Sequence, residues 1–261
     1  MSSWKKIWAQ RKFASDNQYP TEHFQAFVRH HVLHLLEEKI HSGADERPVC
    51  LDFGCGSGAN SQYAVSCGLD TIAVDLSKHA LRLALGRLED VPRSKDGYWG
   101  TSAFYAIEDI VEAGGAPIQN RRLTFEGAEE GEAQSQKYKK ISTLEDVRYL
   151  DIVIADGVLY YLCEREVRDF IFFCSKKLRP GGLLRIYTKN IDDETERERV
   201  EGVRDNFTVI AGYEKGLTWF IPEESFWLEI LQDFSDIKFG YDCFRYTGGK
   251  KNSFLVITAT L

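Results

Sequence analysis

The chain has 261 residues, 43% hydrophobic and 28% charged, enough for one domain with a sizeable core. Its net charge of −7 argues against a nucleic-acid-binding face. The opening stretch MSSWKKIWAQRKFASDNQYP has no apolar run and is not read as a secretory leader, and nowhere does the chain approach the roughly 20 apolar residues that span a bilayer.

From Thr21 to Ile40, apolar residues at Phe24, Phe27, Val28, Val32, Leu35, Leu36 and Ile40 predict a helix with Thr21 as its N-cap. VCLDF (Val49 to Phe53) is a short apolar run ending in glycines, hence a buried strand. ANSQYAVSCG follows as a helix that stops at Gly68. TIAVD (Thr71 to Asp75) is a second strand, and SKHALRLALGRL a second crossing helix with Ser77 as its cap. This order implies a βαβ crossover and a parallel sheet.

The pattern then blurs. Residues from about 89 to 121 read as an insertion with a helical stretch near Ala103 to Glu112. RRLTFEG is a candidate third strand. AEEGEAQSQKYKK is an exposed polar segment, either a solvated insert or a lid. DIVIAD (Asp151 to Asp156) is a clear strand, EREVRDFIFFCSKKL an amphipathic helix, RPGG a turn and LLRIYTK the next strand. PEESFWLEILQDF is a helix opening on Pro222, and DIKFGYDCFRY and SFLVITATL form an antiparallel pair about a Gly-Gly turn. Neither an internal repeat nor a second domain is evident.

The six cysteines form no CxxC pair and mostly fall inside apolar segments. They read as buried free thiols of a reducing cytosol, and no metal site is expected.

The chemistry concentrates at LDFGCGSGAN, where Gly54, Gly56 and Gly58 lie between a strand and a helix. Glycine admits positive φ and close approach to the main chain, and the free N–H groups of a helix start favour polar or anionic atoms. Gly54, Gly56 and Ala59 also satisfy a dinucleotide G-x-G-x-x-A pattern, a weak signal by itself. Asp75 closes the second strand roughly 20 residues on, where a carboxylate accepts ribose hydroxyls; bracing the next helix is the other reading. No GxxxxGK[ST] phosphate loop is present.

Together VCLDFGCGSGAN, TIAVD, LDIVIADGVLYYL and LRPGGLLRIYTK resemble the class I S-adenosylmethionine-dependent methyltransferases over about residues 49–189. In that family the first strand ends in D-x-G-x-G-x-G, here Asp52, Gly54, Gly56 and Gly58. An acidic residue ends the second strand, here Asp75, and the fourth strand leads into a cofactor-touching loop, here Ala155 to Leu159. The resemblance implies a single three-layer, Rossmann-like α/β domain. Its seven-stranded sheet is mostly parallel with a C-terminal antiparallel hairpin, helices lie on both faces, and about residues 1–45 form a helical cap. It also implies that S-adenosylmethionine is the cofactor and S-adenosylhomocysteine the product; the free thiols point to the cytoplasm as the expected location. The implied cofactor-binding residues are Asp52, Gly54, Cys55, Gly56, Gly58, Asn60, Asp75, Leu76, Ala128 (with Gly127 and Glu129), Asp156, Gly157 and Val158. The glycines are expected to make room for a methionine tail and a sulfonium.

The flanking segments are similar to methyltransferases associated with bacterial surface polysaccharides. In that group a Tyr and an Arg near the N-terminus bind the methionine part of the cofactor, here Tyr19 and Arg29; packing and a surface ion pair are the plainer roles. The implied acceptor is a small molecule or glycan, through a sugar hydroxyl, a terminal phosphate or a nitrogen. Tyr160 and Tyr161 after the fourth strand, and Lys189 after the fifth, are acceptor-side candidates. Core packing is expected of one tyrosine and a solvated position of the lysine. His30, His31 and His34 share one helix and read as surface or packing residues. No residue declares itself as the general base. The absence of a DPPY-type tetrad counts against methylation of nucleic-acid or protein nitrogens. An NAD-dependent oxidoreductase and a non-catalytic cofactor-binding module, with Trp4 and Trp8 as a partner surface, are the competing readings.

Overall fold

A computed structural model describes residues 20–41, 47–89, 104–108, 147–190, 192–194, 200–203, 205–210, 214–245 and 251–261. Three apolar runs lay down the centre of the sheet: β1 (Val49–Phe53), β2 (Asp70–Asp75) and β4 (Leu150–Asp156), nearly every residue of them buried. With β3 (Phe104–Glu108), β5 (Leu178–Lys189), β9 (Ser235–Arg245) and β10 (Lys251–Thr260), the central sheet runs in the order β3-β2-β1-β4-β5-β10-β9. The pairs from β3 to β5 are parallel, whereas β10 is antiparallel to both β5 and β9.

Side-chain alternation divides the core into two layers. Leu51, Phe53, Val153, Ala155, Leu184 and Ile186 face Val167, Phe170, Ile171 and Cys174 of helix α5 (Glu164–Lys177), together with Phe226 and Trp227 of α6 (Glu224–Ile230). The opposite face presents Cys50, Ile152, Ile154 and Leu183. These pack against Phe24 and Phe27 of α1 (Glu22–Phe27), Leu36 of α2 (Leu33–His41) and Ala64 of α3 (Ala59–Ser66). Helices thus cover both faces.

Thr21 caps α1, its hydroxyl accepting from the Phe24 amide at 3.2 Å. The long N-terminal helix is not α-helical throughout. A π-helical segment, Val28–Val32, separates α1 from α2 and keeps both Val28 and Val32 in the core. Helix α3 ends in a Schellman arrangement: the Gly68 amide donates to the Val65 carbonyl and the Leu69 amide to that of Ala64. Ser77 caps α4 (Lys78–Glu89), accepting from the Ala80 amide.

Three expectations are corrected, and a second sheet that the sequence does not announce is found. The helical stretch near Ala103 to Glu112 is not found, because Phe104–Glu108 pairs with β2 as β3. Its Phe-Tyr-Ala-Ile run has the aromatic and β-branched character that suits a strand. RPGG is not a turn ahead of β5 but an irregularity within it: pairing jumps from Leu150↔Leu178 to Ile152↔Leu183. The polar stretch after β5 holds a separate antiparallel sheet, β6 (Val200–Val203), β7 (Asn206–Val209) and β8 (Thr218–Phe220). The thiols are all free, but only Cys50 and Cys174 are buried; Cys163 and Cys243 are exposed. RRLTFEG and the segment of residues 128–140 lie outside the described residues.

Candidate functional site

The turn after β1 is tied to the end of β2. The Gly54 and Cys55 amides both donate to the Val74 carbonyl, at 2.8 and 3.0 Å. The next glycine reaches Asp75 itself, the Gly56 amide donating to Oδ2 at 3.0 Å while the Ser77 amide donates to Oδ1 at 2.8 Å. Asp75 therefore clasps the glycine loop and also braces the start of α4. Burial pushes its carboxyl up to about 6, against the pull of the Ser77, Gly56 and Leu76 amides.

At two of the glycines a packing constraint also forbids a side chain. A Cβ on Gly54 (φ +72°) would stand 2.4 Å from Val158, and one on Gly58 (φ +82°) 2.5 Å from the Ala84 Cβ. The positions that a Cβ would take at these two residues are filled by the protein's own side chains. Val158 belongs to the loop after β4 and Ala84 to α4, so the glycines let three neighbouring segments close on one another.

Asp52 lies on the α3 side of the sheet. The Ser61 hydroxyl donates to its Oδ2 at 2.5 Å, and burial pushes its carboxyl up to about 7, opposed by that hydrogen bond. The Asp156 Oδ2 accepts from Asn60 Nδ2 at 3.2 Å. Burial raises Asp156 as well, while Arg185 and Asn60 oppose the rise. Asp52, Gly54, Gly56, Gly58, Asn60, Asp75, Asp156 and Val158 are thus joined through hydrogen bonds and packing at the C-terminal ends of adjacent parallel strands. Cys55 and Leu76 are half-buried beside them, and the Gly157 amide is bound by the Tyr187 carbonyl. Arg29 is not among them. It is exposed on the π-helical segment, close enough to the Tyr63 phenol to oppose the rise that burial gives that group. Tyr19, Gly127, Ala128 and Glu129 lie outside the described residues.

The acceptor-side candidates gather on a second cluster. Tyr160 packs with Val209, Leu217, Trp219 and Ile221, joining the loop after β4 to the small sheet. The Tyr160 hydroxyl donates to that of Tyr161 at 3.2 Å, and Tyr161 donates to Glu214 Oε1. Glu214 is buried, and Tyr161 is held far above the ordinary phenol range, first by burial and then by Tyr160 and Glu214. Lys189 is not solvated: its residue is 5% exposed. Its Nζ lies 4.1 Å from the Trp219 ring centroid, 5.2 Å from that of Tyr160 and 5.6 Å from that of Phe254. An ammonium among three rings is stabilised by their quadrupoles in place of water. His30, His31 and His34 are exposed.

Arg185, Ser61 and Glu214 belong to these clusters but not to the residues picked out from the sequence. Only Arg185 carries a local signal, a charge inside the apolar run LLRIYTK, where a buried arginine needs a partner.

No protein-family profile matches the chain, and no curated protein matches it. Solved structures do. A SAM-dependent methyltransferase from Methanosarcina mazei is 20% identical, covers 85% of this chain and 95% of its own, and superposes with a TM-score of 0.55. A structure concerned with the conversion of a disulfide bond into a thioacetal group during echinomycin biosynthesis is 11% identical, with 98% and 91% covered and a TM-score of 0.53. The chain therefore has the Rossmann-like α/β fold seen in SAM-dependent methyltransferases.

Proposed function

We propose that the protein is a methyltransferase that draws on S-adenosylmethionine and methylates an oxygen of a small molecule or glycan. The observation that carries the reading is the clasp of Asp75 on Gly56 at 3.0 Å, which joins an acidic strand end to the glycine loop within this fold. A carboxylate has about four lone-pair sites. With amides of Gly56, Leu76 and Ser77 on it, Asp75 retains capacity for a ribose hydroxyl. The residues present thus fit the donor, with Asp75 toward the ribose, Asp52 and Asn60 around the loop, and Asp156, Gly157 and Val158 along its other wall. When bound, the donor supplies an electrophilic methyl group on a sulfonium.

The protein's own task is then to align an acceptor, exclude water and take up a proton. The Tyr160–Tyr161–Glu214 chain favours a hydroxyl acceptor over an amine. Its hydrogen bonds run from Tyr160 through Tyr161 to a carboxylate, the direction in which a hydroxyl proton would be passed. A sugar hydroxyl needs such a sink, whereas a neutral amine needs little help. The buried position of Lys189 weighs against its meeting a phosphate directly.

Titration calorimetry with S-adenosylhomocysteine tests the reading, with NADH as the competing ligand. The expected result is binding of the former that Asp75→Ala abolishes, and none of the latter. Binding of NADH alone, or S-adenosylhomocysteine binding indifferent to Asp75→Ala, overturns it.

A further inference from the structure

Strand β9 is the outer strand of the central sheet: β10 lies on one side of it, and among the described residues no strand lies on the other. It runs for 11 residues. An edge of that length is a row of backbone donors and acceptors ready to pair with another chain. Its side chains alternate between the two layers. Ile237 and Phe239 pack against the α5–α6 layer but are only half-buried, and Tyr241, 51% exposed, donates from its hydroxyl to Glu224 of α6. On the other face Asp242 is held by His23 and Tyr187, and Lys238 is exposed.

The middle residue of the strand is Gly240, and the chain's own packing does not ask for a glycine there. A Cβ on it would meet nothing nearer than Val256, at 3.9 Å, and its backbone is not in the left-handed region. A glycine inside a strand weakens it, and marks a bulge, a bend or the close approach of another backbone. No bulge explains this one: pairing of β9 with β10 is regular through Gly240, and the irregularity falls between Thr258 and Thr260.

The sequence on either side of Gly240 is complementary to itself. Two antiparallel copies of β9 must bring together residues of like parity, since parity fixes both the face of a side chain and the outward direction of its backbone. Centring the pairing on Gly240 sets Lys238 opposite Asp242 of the second copy, and the reverse, with Phe239 opposite Tyr241 and Ile237 opposite Cys243. Moving the centre to Phe239 sets Asp236 against Asp242, and moving it to Tyr241 sets Lys238 against Phe244. Of these registers, the Gly240 one alone matches opposite charges and pairs aromatic with aromatic. We infer that β9 is the interface of a homodimer, paired antiparallel with a second copy about a two-fold axis through Gly240, so that two central sheets become one. The pairing gives the half-buried Ile237 and Phe239 the neighbours they lack within one chain, and it does not depend on the methyl-donor reading.

Sedimentation velocity on the full chain tests this, together with oxidative cross-linking. The wild type is expected to form a species of twice the chain mass at micromolar concentration. Lys238→Glu, which sets acid against acid at both ends of the pairing, is expected to weaken that species by about tenfold or more. Lys238 is exposed, so the substitution bears on the pairing rather than on the fold of one chain. Gly240→Cys fits the chain without a clash and places two thiols face to face across the axis. Mild oxidation should then give a covalent dimer whose linked peptides join position 240 to position 240, whereas Lys238→Cys should not link to itself. A monomeric wild type overturns the inference, as does a dimer indifferent to Lys238→Glu. Failure of Gly240→Cys to link, or linkage through Lys238→Cys or through the native Cys163 or Cys243 in its place, overturns it as well. If Gly240→Cys does not fold, the comparison of wild type with Lys238→Glu decides.

Discussion

Val158 occupies the space that a side chain on Gly54 would need: a Cβ there would stand 2.4 Å from Val158 Cγ2 and 2.5 Å from its Cβ. Gly54→Ala must therefore push the loop after β4 away from the glycine loop and also strain a residue at φ +72°. A loss of about 2–4 kcal/mol in urea unfolding is expected, together with weakened S-adenosylhomocysteine binding. Val158→Ala in the same chain should restore part of the stability, since it relieves the clash but not the backbone strain. Simple additivity of the two substitutions would show that this contact does not set the cost.

The buried aspartates give stability a specific pH dependence. Burial raises Asp52 to about 7 and Asp75 to about 6, against an ordinary value near 3.9 in the unfolded chain. Between those limits the folded chain holds protons that the unfolded chain has released. The contribution of these groups is therefore most favourable at low pH and declines as pH rises from about 4 to about 7, then levels off. Asp52→Asn keeps an acceptor for Ser61 and removes the charge. It should stabilise the protein by about 2–4 kcal/mol at pH 8 and have little effect near pH 4.5. Urea titrations at the two pH values check this, and an equal effect at both would exclude it.

The ring cage around Lys189 predicts a measurable coupling. Trp219→Leu removes the ring 4.1 Å from Nζ and leaves a cavity, and should cost about 3–5 kcal/mol. Lys189→Met keeps a chain of similar length among the rings and removes the charge, which isolates the share of the ammonium. In the double variant the Trp219→Leu penalty should shrink by about 1–2 kcal/mol, the share owed to the ammonium. A coupling indistinguishable from zero would mean that the rings act on Lys189 by packing alone.

Asp242 holds the N-terminal helices to the sheet. Its Oδ1 is 3.1 Å from His23 Nε2 on α1, and its Oδ2 accepts from the Tyr187 hydroxyl at 2.9 Å on β5. Asp242→Ala should raise amide hydrogen exchange across residues 22–37 by about tenfold, as expected for the loss of about 1–1.5 kcal/mol of local stability, and leave α5 unaffected. Uniform acceleration over the whole chain would point to global destabilisation instead.

The parts of this fold legible in the sequence are those whose signal is local. Strands β1, β2 and β4 announce themselves as apolar runs, Thr21 and Ser77 as caps, and Gly68 as a stop, because each depends on neighbours a few residues away. Phe104–Glu108 misleads because five residues cannot separate a helical from a strand period, and its assignment comes from pairing with Thr71 to Asp75. The strands β6, β7 and β8 are short and polar on one side, so neither length nor periodicity marks them. The site divides the same way. Asp52, Asp75 and the glycines stand in a recognisable spacing. The surroundings of Lys189 are set by Trp219 and Phe254, far along the chain, and what reads as an exposed strand-end lysine is enclosed.

Strand β10 sits between β5 and β9 although, among the described residues, four strands separate it from β5 in the chain. Until residues 251–260 arrive, the flank of β5 that bears Arg185 and Lys189 has no hydrogen-bonding neighbour, and an apolar strand with an open edge is a template for wrong partners. The hairpin places Phe254 opposite Lys189 and so completes the ring cluster around that lysine. A chain that ends before residue 251 would leave that edge of β5 open, so the last strand protects the sheet against wrong pairing as well as completing it.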